Sequence, residues 1–135
     1  SSNLVKIIPR GTLYHFGILT SSVHNCWMRT VAGRLKSDYR YSKEIVYNNF
    51  PWPEANKRQQ TKIVKLAQVI LDARKQFPGS SLADLYDPLT MPPVLLEAHQ
   101  NLDREVMRLY GFPARMAEAA VVARLFELYQ NIVDR

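Results

Sequence analysis

A chain of 135 residues that is 47% hydrophobic can bury a real core and is sized for one domain, or for one domain with a fragment of a second. No run of about 18 apolar residues is present and the N-terminus lacks the apolar core of a secretory signal, so membrane insertion and export are not indicated and the cytoplasm is the expected compartment. The lone cysteine, Cys26, excludes an internal disulfide and a Cys-based zinc site, and the net charge of +6 is unevenly spread: residues 1–75 hold thirteen Lys or Arg against four acids, residues 76–135 five against eight.

In chain order, residues 1–10 mix β-branched residues with a closing Pro9 and read as a short strand or an arriving linker. Residues 12–33 read as two helical pieces: Leu13, Phe16, Gly17 and Leu19 share a face, Ser21 or Ser22 caps the second piece, and Val23, Trp27, Met28 and Val31 continue it to a stop at Gly33. Residues 34–44 are poor in aliphatics and rich in charge, which predicts a loop. Residues 45–53, IVYNNFPWP, predict a strand closed by two prolines.

Beyond Pro53 the pattern turns helical. Apolar residues at 63, 66, 67, 70 and 71 form one stripe, and Pro78-Gly79 ends it. Ser80 or Ser81 caps a short helix through SLADLY, with Asp84 placed as in a capping box. A helix from about Pro93 to Tyr110 carries Leu95, Ala98, Leu102, Val106 and Leu109 on one face and ends at Gly111. A last helix from about Ala114 would bury Ala119, Val122, Ala123, Phe126 and Val133. The expected fold is mainly α, a helical bundle in the C-terminal half with a small α+β N-terminal portion of few short strands.

Catalytic signatures are missing. A methyl transferase needs a glycine-rich turn for its cofactor and a polar–Pro–Pro–aromatic loop for a flipped base, and Pro92-Pro93, between Met91 and Val94, lacks both flanks and reads as a helix start. No nuclease-like carboxylate cluster with a lysine and no P-loop occurs, and His15, His24 and His99 lack metal spacing. No catalytic residue, metal or cofactor is therefore expected in this chain.

The basic half points to a polyanion. In Arg34-Leu35-Lys36-Ser37-Asp38-Tyr39-Arg40-Tyr41, three cations, one acid and two aromatics fall within eight residues. Lys can donate to guanine O6 and N7, whereas Asp accepts from the cytosine amino group and is repelled by phosphates, so Lys36 and Asp38 can together read one G·C pair. The residues alone leave open a local pairing of Asp38 with Arg34 or Arg40. Asn48 and Asn49 can read adenine or organise a turn, and Lys57, Arg58, Lys62 and Lys65 either solvate a helix or meet phosphates.

Three stretches, FGILTSSVHNCWMRTVAGRLKSDYRYS, IVYNNFPWP and PGSSLADLYDPLTMPPVLLEAHQNLDREVMRLYG, resemble the C-terminal region of the MmeI-like type IIL (type IIG) DNA methyltransferases and restriction–modification enzymes, from about Tyr14 to Asn131. The resemblance implies that residues 1–53 are the C-terminal part of a target-recognition domain and 54–135 a C-terminal helical domain. It implies a larger parent that methylates adenine with S-adenosylmethionine bound upstream, with or without a nuclease, while this chain alone is no enzyme. Lys36 and Asp38 fall at the positions where such enzymes read bases, and a Lys and Asp pair there implies guanine and cytosine. Arg29, Arg34, Arg40, Tyr41 and Asn48 are assigned to positioning and backbone contact. The implied partners are double-stranded DNA and the upstream methyltransferase and recognition domains of the same polypeptide, with no membrane. The competing expectation is a helical protein–protein docking module that makes no direct DNA contact.

Overall fold

Residues 10–37 and 50–133 are described in a computed structural model, and every regular element among them is an α-helix. The elements are α1 (Arg10–Leu19), α2 (Ser22–Ser37), α3 (Lys57–Lys75), the single turn α4 (Leu82–Leu85), α5 (Pro93–Leu109) and α6 (Glu118–Val133). The mainly α expectation holds. Of the short strands expected at 1–10 and 45–53, residues 1–9 and 45–49 lie outside the described residues, and 50–53 form no strand. No helix among the described residues is long and apolar enough to cross a membrane.

Local chemistry sets most boundaries. Ser21 caps α2, its Oγ accepting from the His24 amide at 3.3 Å and donating to the Ile18 carbonyl at 2.6 Å. Asn56 and Gln59 form a reciprocal capping box at the start of α3, at 2.8 and 2.9 Å, and Ser81 accepts from the Asp84 amide at 3.1 Å to start α4. Pro92 is the N-cap of α5 and Pro93 its first residue. That helix ends in a Schellman turn. Gly111 adopts φ +74°, the Phe112 amide reaches the Met107 carbonyl at 2.9 Å, and the Gly111 amide reaches that of Arg108 at 3.0 Å. Phe112 and Met107, both buried, supply the apolar contact that accompanies such a turn.

Gly33 does not stop α2, which continues four residues to Ser37. A glycine inside a helix costs about 1 kcal/mol relative to alanine, which does not end a helix unless the backbone turns left-handed. Gly33 has no positive φ. Residues 34–37 of the expected loop are therefore the last turn of a helix.

The helices share one hydrophobic core. Helix α3 lies between α1 and α5, and α2 packs on α6, α1 and α5. Ile18, Val23, Trp27 and Phe50 join Ile63, Ile70, Leu95, Leu102, Val106, Val121 and Leu125 in a single buried cluster. Each fully buried aliphatic there contributes about 1.5–3 kcal/mol relative to exposure. The stripes expected on α3 and α5 are buried as read, with Leu66 and Leu109 half-buried at their edges. Two faces differ. Ile18 takes the core position on α1 while Leu19 is 42% exposed, and on α6 Val121 and Leu125 are buried while Ala119 and Ala123 face solvent. In that alanine-rich segment two adjacent stripes are both apolar, and the bulkier one removes more area from water.

Candidate nucleic-acid interface

Helix α2 carries Lys36, one of the two base-reading candidates, and its first half is held on three sides. The Ser22 amide, at the positive end of the helix, donates to Asp103 Oδ1 of α5 at 2.9 Å. Burial raises the Asp103 carboxyl above its ordinary range, and the Ser22 bond partly opposes that rise. Trp27, 2% exposed, packs its ring against Phe126 at 4.8 Å and Tyr129 at 6.2 Å. Cys26 is buried, and burial followed by Glu118 raises its thiol, as befits a packed and unreactive cysteine.

The last two turns of α2 run past these anchors. Ala32 and Gly33 are exposed, and nothing lies within 4 Å of where a Gly33 side chain would begin. Position 36 lies four residues beyond Ala32 and three beyond Gly33, on the same helix face. Arg29 shares that face seven residues earlier; it is exposed and paired with Glu118 at the start of α6. Arg34 is on the same final turns, but its side chain and that of Lys36 lie outside the described residues, as do Asp38, Arg40, Tyr41 and Asn48 altogether.

The chain leaves α2 at Ser37 and is next described at Phe50, which returns to the same helix. Phe50 is 4% exposed and meets His24 edge-on at 4.8 Å and Trp27 at 6.0 Å. Pro51 is fully buried, and its carbonyl accepts from the Tyr110 hydroxyl at 2.7 Å. Burial, then Tyr14, pushes the Tyr110 phenol far above its ordinary range, so it stays a proton donor at any working pH. Phe50 and Pro51 are thus fixed to the core, Phe50 against α2 and Pro51 through Tyr110. His24 Nδ1 and Trp27 Nε1 are buried with no hydrogen-bond partner among the described residues.

Sequence reasoning did not find Asp103, Phe50 or Tyr110 as supports of this element. Asp103–Ser22 spans 81 positions and Tyr110–Pro51 spans 59, and no local pattern reports such pairs.

A second polar cluster ties the far side of the bundle. Arg74 Nε donates to the Tyr86 hydroxyl at 2.9 Å, and the same hydroxyl pairs with His99 Nε2 at 2.6 Å. Burial, then the Arg74 charge, pushes His99 below its ordinary 6.5, and burial does the same to His24. A histidine depressed in the folded state contributes stability above its unfolded value, and that contribution is lost as pH falls through the folded value. The thermal midpoint is expected to hold between about pH 8 and 7 and to begin falling below about pH 6.5, above the ordinary carboxylate range. His99→Gln should flatten part of that fall; an unchanged slope would remove His99 as its source.

Pro92-Pro93 is spent on starting α5, and no group of three or more His, Cys, Asp or Glu among the described residues could hold a metal ion.

Two family models match the chain: the target recognition domain of MmeI over residues 1–54 and the C-terminal domain of MmeI over residues 55–135. The DNA methyltransferase A of Bacillus subtilis (strain 168) is 42% identical over 134 residues, 99% of this chain and 15% of that protein. The solved structure of the type IIL restriction–modification enzyme MmeI in complex with DNA is similar, with 51% identity and a TM-score of 0.81 over 91% of this chain and 16% of that one. The chain therefore spans 15% and 16% of the lengths of these two relatives.

Proposed function

Because this chain belongs to the MmeI family, we propose that it is the sequence-recognising end of a larger S-adenosylmethionine-dependent, adenine-specific DNA methyltransferase of a restriction–modification system. Residues 1–53 complete a target-recognition domain, and residues 54–135 form the helical domain that braces it. The methyl donor and the target adenine belong to the upstream part of the polypeptide, and this chain contributes binding and register. The observation that carries the reading is the match of residues 1–54 to the target recognition domain, a span that includes α2 and its last turn with Lys36.

In the proposed complex, Lys36 donates to O6 and N7 of a guanine in the major groove. Asp38, two residues on, accepts from the amino group of the paired cytosine. An acid so placed also excludes phosphates, which favours base edges over backbone. Arg29, Arg34, Arg40, Tyr41 and Asn48 hold the register of α2 and the following segment on the duplex. The Ser21 cap, the Asp103 bond and the Trp27 packing make α2 a stiff mount, which base reading requires because a bidentate contact is lost on small displacements.

Exchanging the two groups tests this. Lys36→Glu with Asp38→Arg, in the methyltransferase that carries this chain, should alter one base pair of the methylated sequence and leave the others unchanged, read by sequencing modified sites. Loss of a good bidentate contact costs roughly 1–3 kcal/mol of discrimination. Methylation of an unaltered sequence at an unaltered rate removes both residues from base reading.

A further inference from the structure

Outside the residues matched to the recognition domain, a second positive surface lies on the outer ridge of α3 and the end of α5. Arg58, Lys62 and Lys65 follow one another at intervals of four and three residues, which puts them on one ridge. Arg58 and Lys62 share with Arg108 a cleft of about 130 Å³. Glu105 is the one acid lining that cleft; it is half-buried and accepts from Lys62 Nζ at 3.1 Å and Arg108 Nη1 at 2.9 Å. Three cations thus share the cleft with one carboxylate, which engages two of them, and Lys65 extends the ridge beyond it. Arg58 and Lys65 are exposed and make no ion pair with the described residues.

The helix itself does not ask for this charge. The first turn of α3 holds Lys57 and Arg58 and no acid, although the positive end of a helix favours acids. Nor is the ridge remote from the recognition element. Leu109 lines both this cleft and the groove formed with Pro51, Trp52 and Pro53, the segment on which the chain returns from residues 38–49, and Tyr110 bonds Pro51 directly. The cations therefore stand beside a stem of the proposed reading segment.

We propose that this ridge is a second DNA contact, in which the helical domain grips the phosphate backbone beside the base pairs that α2 and the following segment read. It rests on the DNA-recognition reading above. Arg58 and Lys65 donate to phosphate oxygens, with the arginine able to do so through two N–H groups, and Glu105 holds Lys62 and Arg108 extended toward the same strand. Such a contact carries no sequence information and governs affinity and its dependence on salt.

The test is a fluorescence-anisotropy titration of the 135-residue chain with a labelled DNA duplex of arbitrary sequence over a series of salt concentrations. Arg58→Gln with Lys65→Gln should lower the slope of log affinity against log salt by about 0.9 for each contact, about 2 in total. Arg115→Gln with Arg124→Gln, which removes the same charge from the turn before α6 and from α6, should leave the slope near that of the unsubstituted chain. Equal slopes for the unsubstituted chain and the Arg58/Lys65 variant overturn the proposal while leaving the recognition reading standing. Equal losses in both variants overturn it in favour of bulk charge. An unsubstituted chain that binds no duplex at low salt overturns both. Thermal midpoints matching the unsubstituted chain confirm that both variants are folded.

Discussion

Trp27→Ala is expected to cost about 3–5 kcal/mol of folding stability, the loss typical of deleting a large buried aromatic. The whole chain should have about 5–15 kcal/mol, so this one change would consume a large share of it. The effect should be severe because Trp27 joins three separate parts of the molecule. Its ring meets Phe126 and Tyr129 of α6 on one side and Phe50, the first residue described after the proposed reading segment, on the other. Alanine would open a cavity between α2 and α6 and also release the stem that Phe50 fixes. Urea unfolding should show a lower midpoint, and the thermal midpoint should fall by on the order of 10 °C or more. A loss under about 1 kcal/mol would mean that the site collapses freely and that α2 is held elsewhere. Phe126→Leu, at a half-buried position, should cost clearly less.

The parts of this fold that sequence reading captured are those where chemistry is local. Ser81, Pro93 and Gly111 mark helix ends because each satisfies or removes a terminal backbone group within a few residues, and helices begin or end at all three. Asn56-x-x-Gln59 is as local a signal as these, and a capping-box search admitting Asn would have found the start of α3. Gly33 misled because a glycine reports permission for a turn, not the turn itself. On α6 the stripes through Ala119 and Val121 are both apolar, and only the packed partner decides between them. For the candidate site, residue chemistry and the family resemblance supply the donor and acceptor logic proposed for Lys36 and Asp38, while the side chain of Lys36 and all of Asp38 lie outside the described residues. That Lys36 lies in the last turn of a helix was not legible, and neither was the pairing of Arg29 with Glu118, 89 positions away. Contacts of that separation depend on the assembled core.

Gly17 is where that assembled core leaves least room, and Gly17→Ala is expected to destabilise the chain despite the better helix propensity of alanine. A Cβ at this position would stand 2.7 Å from Ile63 Cγ2 and 3.5 Å from Ala67 Cβ, where α1 crosses α3. Ile63 is 1% exposed, and its Cγ2 is attached directly to a branched Cβ, so the methyl cannot move aside by rotating a distal bond. Alanine gains about 1 kcal/mol of helix propensity, and overpacking costs about 1–3 kcal/mol, so a net loss of up to about 2 kcal/mol is expected. Gly17→Leu should lose considerably more, because the added branches have no space that rearrangement of Ala67 or Ile63 could supply. A double-mutant cycle isolates the cause. Ile63→Ala removes the offending methyl, so Gly17→Ala should cost much less, or even stabilise, in that background than in the native one. Additive losses in denaturant unfolding would show that the two helices separate without strain, and that glycine is not required where α1 meets the helix bearing the cationic ridge.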